Sequence, residues 1–120
     1  MNQIQNTKQY DLEDRTFAFA KRCRDYVRRL PKTISNLEYG KQLIRSSGSI
    51  ASNDIEANES LSRKDCGMRM RICRKEAKET RLWLNLTEPK IEDVAEQKKL
   101  IQEASELMRI FGAILEKLKK

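Results

Sequence analysis

The sequence predicts an all-α protein, an antiparallel up-down four-helix bundle formed by a single domain over residues 1–120. Three observations carry this. Four stretches repeat apolar residues at alternating steps of three and four, the signature of one helix face. Only four glycines and two prolines occur, too few for the turns of an all-β chain. The breaks between the four stretches are short, and short connections make consecutive helices antiparallel neighbours.

The first helix is expected at about 11–30, with residues 1–10 flexible. Leu12, Thr16, Phe19, Cys23, Tyr26, Val27 and Leu30 form its stripe, Asp11 offers a cap, and Pro31 follows its end. The second is expected at about 36–59, where Ser35 and Glu38 are spaced as a capping box and Ile34 and Tyr39 as its staple. The third, about 63–87, repeats that grammar: Ser62 caps, Asp65 reaches back and Leu61 faces Cys66. Its stripe is Cys66, Met70, Cys73, Ala77, Thr80, Leu84 and Thr87, strengthened by Trp83. Past Pro89 the fourth, about 91–118, carries Val94, Ile101, Ala104, Met108, Phe111, Leu115 and Leu118.

Residues 46–60, SSGSIASNDIEANES, have the composition of a flexible linker. Stepping 100° per residue decides otherwise. Leu37, Ile44, Ala51 and Ile55 fall on one ridge, and Tyr39, Leu43, Ile50 and Ala57 on a second, while charged and polar residues collect opposite. The stretch is therefore helix. Its apolar face is wider than the roughly 100° a surface helix needs, which points to more than one neighbour, within the bundle or across a subunit interface. Gly48 costs about 1 kcal/mol relative to Ala in a helix interior, and close helix contact at Ser46, Ser47, Gly48 and Ala51 would offset it.

Within QLIRSSGSIASNDIEANE, residues 42–59, Gln42, Arg45, Ser46, Ser47, Ser49, Ile50, Asn53 and Glu56 match a known pattern position for position. The chain resembles the four-helix-bundle proteins encoded in intervening sequences of bacterial 23S ribosomal RNA genes. It departs from that pattern at Asp54 and Ala57, and at Lys75, Glu76 and Ala77 in the third helix, keeping Glu79. The resemblance implies a bundle that assembles as a homopentameric, barrel-like ring. It also implies a distant similarity to the accessory protein of diversity-generating retroelements, which binds nucleic acid and a reverse transcriptase.

Twenty-five basic against eighteen acidic residues give a net charge of +7, so polyanions are expected partners. On the third helix Lys64, Arg71, Arg74, Lys75, Lys78 and Arg81 share the face opposite Cys73 and Ala77, and Lys21, Arg24 and Arg28 lie off the first helix's stripe. Such a row can neutralise the phosphates of RNA or DNA, and repetition in a ring would multiply its field. Set against this is the plain solvated face of a helix, its cations incidental in a scaffold for another protein. No aromatic residues alternate with the cations, so backbone contact and not base stacking is the expected mode.

Arg45 and Glu56 lie three turns apart and are expected to meet charges on other helices or subunits, as structural pairs. Asp54 falls in the middle of the apolar arc, where it should reach solvent at an edge or accept hydrogen bonds. Phe17 is an aromatic off the first stripe. Histidine is absent, which removes His-based triads and ferritin-like iron sites. Three E-x-x-E pairs, Glu56/Glu59, Glu76/Glu79 and Glu103/Glu106, could hold magnesium as in all-helical nucleotide pyrophosphohydrolases, yet the spacing is also ordinary helix surface. No enzyme, cofactor or metal is expected. The three cysteines lack paired spacing and read as small core residues of a protein in the reducing cytoplasm. The polar MNQIQNTKQYDLEDRT start has no secretion-signal pattern, and no membrane partner is expected.

Overall fold

The computed structural model describes the backbone of residues 3–119 and the side chains of residues 12–119. The flexibility expected of residues 1–10 falls outside the described side chains and, at residues 1–2, outside the described backbone. Four helices follow one another: α1 (Gln3–Arg29), α2 (Ile34–Asn58), α3 (Arg63–Leu86) and α4 (Val94–Leu118), the last preceded by a 3₁₀ turn at Ile91–Asp93. No strand occurs among the described residues. Each helix packs on the next, and α1 also touches α4, which closes a bundle 48 × 26 × 19 Å in extent.

Two start signals differ from expectation. Helix α1 already runs through Asp11, which is therefore not its cap. Helix α2 is capped by Thr33, whose Oγ1 accepts from Asn36 N at 3.1 Å, and not by Ser35. The earlier start has a reason in Asn36, which is buried in the first turn. Its Nδ2 donates to Pro31 O and Glu88 O, and its Oδ1 accepts from Glu88 N, tying the α1–α2 and α3–α4 connections together. Ile34, expected as a staple, is 85% exposed. Ser62 caps α3, accepting from Asp65 N at 3.0 Å, but Leu61 is 99% exposed and staples nothing.

The expected stripes of α1 and α3 lie in or against the core, as does that of α4 except at its ends, where Val94 and Leu118 are only half-buried. The α4 stripe is broader than the sequence suggested, because Leu100 and Leu107 are also fully buried. One end of the bundle is latched by buried polar groups. Thr87 Oγ1 donates to Leu84 O and accepts from Tyr26 OH, both at 2.8 Å, while Gln97 Nε2 donates to Leu84 O and Thr87 O.

Residues 46–58 are uninterrupted helix, so the serine-rich stretch is no linker. The two ridges of α2 have different fates. Leu43, Ile50 and Ala57 are buried and Tyr39 stacks on Trp83, whereas Leu37, Ile44 and Ile55 stay exposed at 49%, 45% and 48%. Close approach within the chain is at Ser46 and Ser47, both buried, and at Gly40, where an added Cβ would lie 3.0 Å from Val27 Cγ1. Gly48 has nothing within 4 Å of such a Cβ, so no helix of this chain offsets its cost.

Opposite outcomes are expected for alanine at the two glycines of α2. Gly48→Ala fills open space and raises folding stability by about 1 kcal/mol. Gly40→Ala meets Val27, a β-branched side chain held in one rotamer by its helix, and lowers it. Urea unfolding followed by circular dichroism reads both changes.

Candidate nucleic-acid interface

Helix α3 presents its basic residues as a band about 25 Å long at 1.5 Å per residue, from Lys64 to Arg81. Lys64, Arg71, Arg74, Lys75 and Lys78 are exposed, and Arg81 leans toward α4, where Nη1 donates to Ser105 Oγ at 3.2 Å. Among the described residues none of these six cations has an acidic partner.

The cations at the helix seams are different. Arg15 of α1 reaches α4, with Nε and Nη2 on Glu103 at 2.7 and 2.8 Å and Nη2 on Glu106 at 2.7 Å. Arg22 grips Glu96 at 3.2 and 3.3 Å, and Arg29 meets Asp93 at 3.1 Å. Charge is thus neutralised where helices meet and left unbalanced on the outside of α3. Of the α1 cations beside the stripe, Arg24 and Arg28 share Asp25, and Lys21 sits 5.4 Å from the centre of the Phe17 ring. By the helical step they lie on the flank of α1 away from Arg15 and Arg22, so they do not extend the α3 band.

Toward the start of α3 the band closes into a cavity of about 300 Å³ against the end of α4. Lys64, Arg71 and Arg74 line it together with two cations that sequence reasoning missed, Arg63 and Lys119. Arg63 falls on the same side of α3 as Arg74 by the 100° step, which was the available signal. Lys119 arrives only through the docking of α4. Gly67 lines the cavity too, and a Cβ there would lie 3.9 Å from both Arg71 Nη1 and Leu118 Cδ1. Lys64, Arg71 and Lys75 also border a second, shallower cavity with Met68 and Ile72.

The residues that match the family pattern lie mainly on the α2–α3 seam. Arg45 Nη1 and Nη2 donate to Glu76 at 3.3 and 3.2 Å, and Nη2 also to Glu79 at 3.3 Å, while Nε donates to Gln42 Oε1 at 3.4 Å. The Glu76 carboxylate holds the Arg45 proton more firmly, raising its pKa. Asn53 accepts from Arg69 Nη1 at 3.0 Å and donates to Ser49 O at 2.9 Å. Glu56 is exposed with no side-chain partner among the described residues.

The sequence profile of the 23S rRNA-intervening sequence protein family matches residues 8–113. The chain belongs to that family. A crystal structure of a protein of unknown function from the S23 ribosomal protein family of Bacteroides thetaiotaomicron VPI-5482 superposes with a TM-score of 0.75 at 26% identity, covering 91% of this chain and 98% of that one. No curated protein sequence matches the chain.

In this family member two of the three E-x-x-E pairs serve as arginine clamps, Glu76/Glu79 for Arg45 and Glu103/Glu106 for Arg15. Hydrogen bonds from Gln102 and Arg15 hold the Glu106 carboxyl below its ordinary pKa. Among the described residues no group of three His, Cys, Asp or Glu is placed to hold a metal ion, and no helix is long and apolar enough to cross a membrane. Desolvation pushes the buried Cys23 and Cys73 thiols up to about 12, far from the thiolate that reacts. Cys66, half-buried, is raised by the same cause.

Asp54 meets neither expectation set for it. It is fully buried, and among the described residues both carboxyl oxygens lack a hydrogen-bond partner. Thr16 faces it, but the Thr16 hydroxyl proton goes to Glu13 O at 3.1 Å. The Glu13 carboxylate, which accepts from Asn58 Nδ2, adds like charge nearby. Burial, and secondarily Glu13, push the Asp54 carboxyl from 3.8 to about 6. A carboxyl with a higher pKa folded than unfolded binds its proton more tightly in the fold. Its favourable contribution is complete below the unfolded value, declines through about 6 and is gone above. Each unit is worth about 1.4 kcal/mol. Asp54→Asn is therefore expected to gain stability relative to the parent as pH rises from about 4 to about 6, reaching about 3 kcal/mol at neutrality. Urea midpoints measured across that window check it; a stability difference independent of pH would contradict it.

Proposed function

We propose that this 23S rRNA-intervening sequence protein is a non-catalytic, self-assembling bundle that binds the phosphate backbone of RNA or DNA along α3. The observation that carries the reading is that, among the described residues, Lys64, Arg71, Arg74, Lys75, Lys78 and Arg81 have no acidic partner in a chain that pairs its seam arginines. An unpaired row of cations releases counterions when phosphates replace them, so affinity is sequence-tolerant and falls steeply with salt. The absence of aromatic residues in the row favours backbone over base contact.

Self-assembly is supported by the outer ridge of α2. Leu37, Ile44 and Ile55 recur with small Gly48 and Ala51 between them, in the three-and-four spacing of a helix–helix seam. Phe17, 61% exposed, shares by the helical step the flank of α1 on which Arg28 borders a pocket with Leu37 and Ile44. A second copy is the proposed occupant, the family resemblance implies five in a ring, and the lack of paired cysteine spacing supports a cytoplasmic setting. Repetition would bring several α3 bands into one field.

Two measurements test this. An arbitrary RNA should bind at low salt, and replacing Lys78 by Ala should reduce the slope of log affinity against log salt by about 1. Undetectable binding at low salt contradicts the nucleic-acid reading. Light scattering should give a multiple of the 14.1 kDa chain mass, and Ile44→Glu should dissociate it. A monomer at micromolar concentration contradicts self-assembly and leaves the ridge to a different protein partner, the scaffold reading.

A further inference from the structure

The cations of α3 are not evenly used. Most of the band is an open row, but its N-terminal end is a cavity where five cations converge around about 300 Å³. Its one acid, Glu116, is already bonded to Lys119 Nζ at 3.0 Å. A phosphodiester in the middle of a strand carries one negative charge, whereas a phosphomonoester carries about −1.5 to −2 at neutral pH, with three strong acceptor oxygens. The densest cation cluster therefore suits the end of a strand better than its middle.

Arg63 is prearranged for such a group. Its Nη2 donates to Lys117 O and Leu118 O at 3.1 and 3.0 Å, which fixes the guanidinium against the last turn of α4. Nε and Nη1 are left to donate. The unpaired amides of the first turn of α3 lie at the same end, since Ser62 Oγ takes only Asp65 N. Leu115 and Leu118 give the cavity an apolar wall beside the cations, a surface for the sugar next to the phosphate. The place is also an end in the geometric sense. The first cation of the row, Arg63, opens α3, so the band of cations itself ends here.

We propose that the cavity between the start of α3 and the end of α4 binds the terminal phosphomonoester of a nucleic-acid strand. The proposal rests on the backbone-binding reading above and adds end recognition to it. Three forms of one short RNA separate the two: with a 5′-phosphate, with a 3′-phosphate, and with hydroxyl at both ends. Fluorescence anisotropy at fixed ionic strength should show one or both phosphorylated forms binding about tenfold more tightly than the hydroxyl form, as expected for an added charged hydrogen-bonding group. Which form gains gives the direction of the strand along α3. Arg63→Gln should bring the ratio close to one. Because Arg63 also ties down the end of α4, Lys119→Gln is the second variant, with the same expected collapse of the ratio. Lys78→Gln, in the open row, should weaken all three forms alike and keep the ratio. Equal affinity of the three forms for the parent protein overturns the end site while leaving backbone binding intact. A ratio that survives both pocket variants also overturns it. Failure of every form to bind overturns backbone binding and the end site together.

Discussion

The buried contact between Ser46 and Thr80, whose hydroxyl oxygens lie 2.7 Å apart, sets how closely α2 and α3 pack and how α3 is turned about its axis. Only small side chains allow it. Ser46 and Ser47 are buried where a larger residue would hold the helices apart, and Cys73 of α3 comes near enough for its thiol to reach Ile50 O at 3.6 Å. Interiors are close-packed, so a contact of this kind does not slide. With Thr80 turned inward, the 100° step places Glu76 and Glu79 toward Arg45 and leaves the band from Lys64 to Arg81 facing away from α2, while Arg69 alone of the α3 cations turns to Asn53. The basic band is therefore a consequence of the seam.

The same seam explains how a chain of net charge +7 can bury acids. Glu76 is only 7% exposed, and its two oxygens face the guanidinium of Arg45. Arg15 does the equivalent for Glu103 across α1 and α4. Planar two-point contacts of this type fix register as well as charge. The acids that the seams hold are directed at Arg45 and Arg15, away from the outer cations of α3. Asp54 is the exception to this pairing, a carboxyl enclosed by α1 and α3 with no hydrogen-bond partner among the described residues. A group in that position favours its neutral form, so its contribution to the fold is lost as pH rises through about 6.

Much of this architecture was legible in the sequence, because helices announce themselves locally. Periodicity placed the stripes, Ser62 was a correct cap, and the linker-like composition at 46–60 did not hide the helix. What periodicity does not contain is the identity of a neighbour. Both apolar ridges of α2 read alike, and nothing local says that Leu43 and Ile50 face the core while Ile44 and Ile55 do not. The acids of the E-x-x-E pairs were visible, but the arginines that occupy them stand on other helices. Thr33 displaced Ser35 as a cap because Asn36 had to reach Glu88, fifty-two residues away in the chain. Six cations of α3 were found by their shared face, yet the cavity at its end required Leu115, Leu118 and Lys119, which only the docking of α4 supplies.

Central to this account is an outward face of α3 that meets phosphate, and lysine reactivity tests it most directly. Acetylation of surface lysines followed by mass spectrometry, with and without RNA, reports which amines are covered. Protection confined to Lys64, Lys75 and Lys78, with Lys21 and Lys41 modified as freely as before, is the predicted pattern. Protection of Lys21 and Lys41 instead, or RNA bound with no change at Lys64, Lys75 and Lys78, would contradict it.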